Sequence, residues 1–144
     1  MEDQPYVYEI FIATSLERLW KALTSTEDTK KYFVTLGAHS DWKEGSIVEF
    51  RKNNGELDGK GEILESNPYG KLKYSWNDVG DELAPSIITY ELEKVENEDV
   101  VKLTLTHDKL MGRAYKFWPI VLSEMKTLIE SGQPIFSWSK KNSS

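Results

Sequence analysis

The chain has 144 residues, the usual size of one domain with its own core, and its 39% hydrophobic and 29% charged residues are typical of a globular protein. The formal net charge of -6 argues against nucleic acid and against an anionic membrane surface as partners, because both attract clustered Lys and Arg. Cysteine is absent, which excludes disulfides and thiol catalysis; with no signal-peptide or membrane-spanning pattern, we expect a cytoplasmic protein without membrane insertion.

The N-terminal part predicts one strand followed by two short helices. Apolar and polar residues alternate from Tyr6 to Ile12, which is the period of a half-buried strand. Thr14 and Glu17 have the spacing of a capping box, so we expect the first helix to be capped at Thr14. Ser25 or Thr26 then caps the second short helix.

From about residue 46 the apolar period changes from helical to alternating. Five segments of this kind follow, with the sequences SIVEFRK, LDGKGEILE, KLKYSW, SIITYELEK and VVKLTLTH. Each has one apolar and one polar face, which is the pattern of an antiparallel sheet with one side on the core. Short turn-rich links such as KNNGE and SNPYG join them, so the sequence predicts consecutive antiparallel strands.

The segment FWPIVLSEMKTLIESGQP predicts a long amphipathic helix. Its apolar residues recur at three- and four-residue spacing: Trp118, Val121, Leu122, Met125, Leu128 and Ile129. Pro119 fits only the first turn, and Ser131-Gly132 followed by Pro134 gives the stop signal. We expect a single domain over residues 1–134 and a loosely held tail over residues 135–144.

This order of elements predicts an α+β fold, because strands follow one another without alternating helices. The long helix is the one predicted element large enough to cover the apolar face of the sheet. We therefore expect a helix-grip fold: a curved antiparallel sheet of about six or seven strands wrapped around a long C-terminal helix, with two short helices after the first strand.

The ordered set of motifs IATSLERLWKALTSTEDTKKYF, DWKEGSIVEF, GKGEILESNPYGKLKYSW, SIITYELEK, LTLTHDKL and FWPIVLSEMKTLIESGQP resembles the heat-shock-protein-90 ATPase activator homologue family. That family lies within the START-related, birch-pollen-allergen-like (SRPBCC) superfamily. The resemblance extends from Tyr6 to Pro134. It implies a cavity between sheet and C-terminal helix that takes lipids, sterols, polyketides or other apolar molecules, and it implies a chaperone as an alternative partner.

Inward-facing aromatic and aliphatic residues predict the wall of that cavity, since small-molecule sites combine apolar walls with a few polar atoms. The predicted lining residues are Phe33, Phe50, Ile63, Tyr74, Trp76, Ile88, Tyr90, Leu105, His107, Trp118, Leu122 and Met125. Among them His107 continues an inward apolar face, either as a hydrogen-bonded histidine at the rim or as a polar anchor or proton carrier.

No catalytic residue is assigned from the sequence, and whether the chain is an enzyme stays open. With only two histidines, His39 and His107, and no HExxH spacing, we expect no metal site, and nothing in the sequence indicates a cofactor. Three functions remain: a binding domain for a small apolar ligand, a chaperone-interacting module, or a cyclase- or hydratase-type enzyme that uses His107 or Tyr90 in the same cavity. The sequence allows a monomer or a dimer.

Overall fold

The computed structural model describes residues 4–80, 84–109 and 117–136. Its elements, in chain order, are β1 (Tyr6–Ile12), α1 (Leu16–Thr24), α2 (Thr26–Tyr32), β2 (Gly37–His39), β3 (Ile47–Arg51), β4 (Leu57–Asn67), β5 (Lys71–Asp78), β6 (Ser86–Lys94), β7 (Val101–Asp108) and α3 (Phe117–Ser131). No helix in these three ranges is long and apolar enough to cross a membrane.

The strands form one seven-stranded sheet in the order β1-β7-β6-β5-β4-β3-β2, and every neighbouring pair is antiparallel. The sheet curves around α3, and α1 and α2 follow the first strand, so the predicted α+β helix-grip fold is confirmed. The short strand β2 was not among the predicted segments, because three residues at a sheet edge carry no readable alternation.

Helix ends follow local side-chain chemistry. Ser15, and not Thr14, caps α1: its side chain accepts a hydrogen bond from the Arg18 amide, so the predicted capping box is wrong by one residue. Ser25 caps α2 by accepting from the Asp28 amide, as predicted. At the other end of the molecule, Gly132 has a φ of 87° and its amide donates to the Leu128 carbonyl, which is how glycine ends a helix.

The core lies between α3 and the inner face of the sheet. Five apolar residues of α3 are fully or almost fully buried there: Trp118, Val121, Leu122, Met125 and Leu128. They meet the inward residues of the strands, for example Leu72, Leu103 and Leu105, each of which is completely buried. Their burial supplies the main driving force for the fold.

Two β-bulges bend strand β4. One lies opposite β5 between Ile63 and Glu65, and the other lies opposite β3, where Phe50 pairs with Gly59 and Arg51 pairs with Leu57. The second bulge leaves Asp58 without a counterpart on β3. A bulge inserts one residue, increases the local twist and can re-aim a side chain, so these two positions shape the curvature of the sheet.

The chain is held to α3 after the helix ends. The buried carboxylate of Glu124 accepts hydrogen bonds from the amides of Ile135 and Phe136, the first two residues of the predicted tail. The rest of that tail, residues 137–144, lies outside the described residues.

Candidate functional site: a pocket at the first turn of the C-terminal helix

A pocket of about 280 Å³ opens beside Phe117, at the first turn of α3. Its other walls come from the segment after α2 and from strands β4 to β7. The residues that line it, among those the structure describes, are Phe33, Val34, Leu36, Asp58, Trp76, Asp78, Ser86, Ile88, His107 and Phe117. The lining is therefore mainly aromatic and aliphatic, with two carboxylates, a hydroxyl and an imidazole.

The structure divides the sequence-predicted cavity residues into two groups. Phe33, Trp76, Ile88 and His107 line the pocket. The others lie in the packed core behind it and are at most 3% exposed: Phe50, Ile63, Tyr74, Tyr90, Leu105, Trp118, Leu122 and Met125. The pocket thus lies at one end of the predicted cavity and does not extend along α3 to Met125.

Phe33 forms the boundary between pocket and core. Its ring centroid lies 5.6 Å from that of Phe50 and 5.7 Å from that of Trp118, and both contacts are on the core side. It also lies 6.0 Å from Phe117 and 6.3 Å from Trp76, which are both pocket residues. Such edge and tilted ring contacts add to burial and hold the rings in place, so this wall is preformed.

Trp76 lies close against the backbone of Gly59. A Cβ atom built on Gly59 would stand 2.8 Å from the Trp76 ring, so any larger residue would push the indole away. The indole N–H donates to Asp78 Oδ1 at 2.8 Å, which fixes the ring in its plane. Glycine at this position therefore allows Trp76 to form a side of the pocket.

A buried hydrogen-bond chain runs along the floor of the pocket through Trp118, His107 and Ser86. Trp118 Nε1–H donates to His107 Nδ1 at 2.9 Å, and His107 Nε2 lies 2.9 Å from Ser86 Oγ. An indole nitrogen can only donate, so Nδ1 must be the unprotonated nitrogen. The geometry therefore assigns a neutral His107 with its proton on Nε2, donating to Ser86.

The direction of the hydrogen bond between His107 and Ser86 bears on the hypothesis that the protein is an enzyme. A histidine that activates serine must accept the hydroxyl proton on the nitrogen that faces it. Here that nitrogen already carries a proton and donates. The pair formed by Ser86 and His107 is thus a positioned hydroxyl and not an activated nucleophile, and His107 is a hydrogen-bonded wall residue that faces the pocket.

Two carboxylates stand at the edge of the pocket. Asp58 is the bulged residue of β4, and it makes no side-chain hydrogen bond or ion pair to any residue that the structure describes. Asp78 is exposed and accepts from the Trp76 indole. Negative charge at the entrance disfavours an anionic ligand and tolerates a neutral or cationic one.

Tyr90, the other candidate for proton transfer, lies away from the pocket. Its ring centroid lies 6.2 Å from that of Tyr74, and burial raises the pKa of both phenols. Tyr32 is buried in the same region, donates to the Ala22 carbonyl, and has its pKa raised mainly by burial. These hydroxyls therefore stay protonated at neutral pH. In the described part of the chain, no three acidic or histidine side chains come together as a metal site would require.

Sequence reasoning missed six pocket residues: Val34, Leu36, Asp58, Asp78, Ser86 and Phe117. Ser86 could have been found, since it shares the inward parity of Ile88 and Tyr90 on β6. Asp58 could not, because the bulge reverses the parity that the alternation of β4 predicts. Val34 lies in a non-repetitive segment with a φ of 43°, where periodicity gives no information.

Comparison with known proteins agrees with the fold. The family model described as Activator of Hsp90 ATPase homolog 1-like protein matches residues 13–130. A solution structure from Cytophaga hutchinsonii is similar at 26% identity and a TM-score of 0.73, covering 92% of this chain and 98% of that one. The Aha1 dimer from Colwellia psychrerythraea is similar at 22% identity and a TM-score of 0.72, covering 90% and 98%.

A third similar structure is an HSP90 activator from Plasmodium falciparum, with 24% identity and a TM-score of 0.61, covering 72% of this chain and 71% of that one. No curated protein matches the chain significantly. The family model covers well over half of the sequence, and the fold and its ordered motifs agree with it. The chain therefore belongs to the Activator of Hsp90 ATPase homolog 1-like family.

Proposed function

We propose that the protein binds a small, uncharged apolar molecule in the pocket beside Phe117. One observation carries the proposal: an open space of about 280 Å³ adjoins a core whose other large side chains are fully buried. Protein interiors rarely leave voids larger than a water molecule. An apolar space of this size, with preformed aromatic walls and a few polar atoms, is typical of a ligand site.

The volume limits the size of the ligand. A cavity of about 150 Å³ accommodates benzene, so the pocket suits a molecule of roughly two fused rings. Its volume of about 280 Å³ lies just below the usual range for drug-sized ligands, and it favours a compact molecule over a sterol or a whole lipid. The carboxylates of Asp58 and Asp78 at the entrance favour a ligand without negative charge.

Fluorescence titration with a neutral naphthalene dye tests the proposal. We expect saturable binding, and we expect Val34→Phe to weaken it more than roughly tenfold, because the added ring occupies the pocket. Val7→Phe is the matched control, since Val7 is 56% exposed on β1, outside the pocket lining. Absence of saturable binding, or equal binding by both variants, would contradict the proposal.

A second candidate function is contact with a chaperone of the Hsp90 class. The match to the activator family over residues 13–130 favours it. The outer face of the sheet offers exposed apolar residues, Val7 and Phe11, next to charged pairs formed by Lys102 with Glu9 and Glu93. The test is the ATPase rate of purified Hsp90 with and without the protein. An increase that is lost in Phe11→Ser supports this function, and an unchanged rate argues against it.

A further inference from the structure

We infer that Ser86 anchors the ligand through a hydrogen bond to an uncharged carbonyl oxygen, and that the ligand is therefore a small apolar ketone, aldehyde or ester. This inference rests on the proposed function and specifies the chemistry of the molecule that the pocket takes. It follows from the donor and acceptor of each hydrogen bond that links Trp118, His107 and Ser86.

The donor-to-acceptor direction of these hydrogen bonds determines whether Ser86 can donate or accept a further hydrogen bond. Trp118 donates to His107, and His107 donates to Ser86, so the serine oxygen is occupied as an acceptor. The hydroxyl hydrogen must then point elsewhere. In the described part of the chain its other partner is the Trp76 carbonyl, at an O···O distance of 3.5 Å.

That second contact is weak. Hydroxyl hydrogen bonds in proteins have O···O distances of about 2.5–3.0 Å, so a contact of 3.5 Å leaves most of the interaction unrealised. Ser86 is fully buried, and it is one of the residues that line the pocket. An acceptor brought into the pocket can therefore form a better hydrogen bond with Ser86 than the protein itself provides.

Two indole donors, that of Trp76 on the wall and that of Trp118 behind it, are already committed. The Trp76 indole donates to Asp78 at 2.8 Å, and the Trp118 indole donates to His107 at 2.9 Å. Ser86 is thus the wall residue whose hydrogen is most available to a ligand. Apolar side chains of the same lining, Ile88, Phe33 and Phe117, make the space around a bound ligand poor in water, which strengthens such a bond.

The chemistry of the acceptor follows from these surroundings. A carboxylate would bring negative charge past Asp58 and Asp78 into an apolar space, which is costly. An alcohol would need a partner for its own proton, whereas a carbonyl oxygen only accepts. A carbonyl on a compact apolar body matches both the Ser86 donor and the size of the pocket.

Two probes of nearly equal shape distinguish the contribution of the Ser86 hydrogen bond to affinity from that of the apolar contacts. Naphthyl methyl ketone carries the carbonyl, and isopropenylnaphthalene replaces its oxygen with a methylene group. We expect the ketone to bind the wild-type protein roughly two- to tenfold more tightly, the range of one net hydrogen bond. Ser86→Ala should abolish this preference, so that the ketone and the hydrocarbon bind with similar affinity.

A second variant covers the case in which Ser86→Ala does not fold or in which His107 replaces the lost donor. Ser86→Cys preserves the shape and still accepts from His107, but its thiol is a weak donor, so the ketone preference should again fall. Ser66→Ala, at a position outside the pocket lining, is the matched control and should keep the preference.

Trp118→Phe tests whether the hydrogen bonds from Trp118 through His107 orient the Ser86 hydroxyl. Loss of the indole donor frees Nδ1, so nitrogen-15 NMR of the imidazole should show the proton of His107 leaving Nε2 for a mixture of tautomers. The ketone preference should fall with it. An unchanged tautomer with an unchanged preference would show that the chain does not position Ser86.

The outcomes distinguish failure of the proposed ligand binding from failure of the carbonyl anchor. If neither probe binds, the proposed function fails. If both bind equally, or if Ser86→Ala weakens both alike, binding stands and the carbonyl anchor is overturned.

Discussion

The two ends of the space between α3 and the sheet differ in construction. Around Leu122, Met125 and Leu128 the space is closed, and these residues are at most 3% exposed. Around Phe117 it is open and forms the pocket. The closed end comes from regular elements with uninterrupted periodicity, whereas the open end comes from a bulge, a loop and a buried polar chain. The regular pattern thus builds the stable core, and the proposed binding site lies where that pattern is broken.

The largest expected effect on the sheet that supports both ends is at Gly61. A Cβ atom there would lie 1.7 Å from the Ser75 carbonyl oxygen, so Gly61→Ala must separate β4 from β5. We expect a loss of more than about 4 kcal/mol in the free energy of unfolding, or failure to fold. Gly59→Ala should cost less, because the nearest atom belongs to the Trp76 side chain, and it should change the probe affinity by displacing that indole.

Gly70→Ala is the control for both glycine variants. A Cβ atom on Gly70 would lie 3.7 Å from its nearest neighbour, the Asn67 carbonyl oxygen, and stability should change by less than about 0.5 kcal/mol. Urea denaturation measures all three. Equal stabilities of Gly61→Ala and Gly70→Ala would contradict the close packing of β4 on β5.

The closed and open ends can be compared directly with Leu122→Ala and Phe117→Ala. Leu122 is completely buried, so its truncation leaves a cavity and should cost about 2–5 kcal/mol while leaving the probe affinity unchanged. Phe117 is half-buried, so its truncation should cost less stability and remove most of the binding. Paired denaturation and probe titration measure both quantities. Binding lost in Leu122→Ala but kept in Phe117→Ala would reverse the assignment of the two ends.

The difference between the ends also explains what the sequence could predict. The alternation of β6 and β7 and the helical period of α3 correctly indicated the inward faces, including Ile88, Leu105 and Met125. These patterns report which side of an element is buried. They do not report whether facing side chains leave space between them, which depends on contacts such as that of Phe33 with Trp118.

The pocket was less predictable because its chemistry depends on broken patterns. Asp58 borders it through a bulge, and Val34 borders it from a loop with positive φ. The role of His107 depends on which atom donates to which, and that requires the position of Trp118. Sequence spacing alone could identify His107 as a candidate site residue, but it could not decide whether His107 carries protons or is a fixed hydrogen-bond donor.

A stabilising change is expected in the loop at the open end. Thr35 has a φ of 69°, a left-handed conformation that a β-branched residue adopts at a cost. Thr35→Asn should raise stability by about 0.5–1 kcal/mol, because asparagine tolerates this region better. Thr104→Asn, in the extended strand β7, is the control and should not stabilise. A lower melting temperature for Thr35→Asn would show that the conformation is not strained.

The smallest expected effect is a pH dependence at the closed end. The Ala13 amide and then Lys126 hold the pKa of Glu130 below its usual range. Because the folded-state pKa is lowered, this stabilisation is present above the ordinary value and is lost as the pH falls through the folded value. Glu130→Gln should flatten the acid limb of the stability curve by less than about 1 kcal/mol. If variant and wild type lose the same stability as the pH falls, the contacts of Glu130 with Ala13 and Lys126 do not stabilise the fold.

An amide proton–nitrogen correlation spectrum recorded during titration with naphthyl methyl ketone locates the ligand on the protein directly. If the ligand enters the pocket beside Phe117, we expect saturable shifts centred on Ser86, His107 and Phe117, with Met125 and Leu128 at the closed end little changed. Shifts centred on the closed end or on the outer face of the sheet, or no saturable shifts at all, would contradict it.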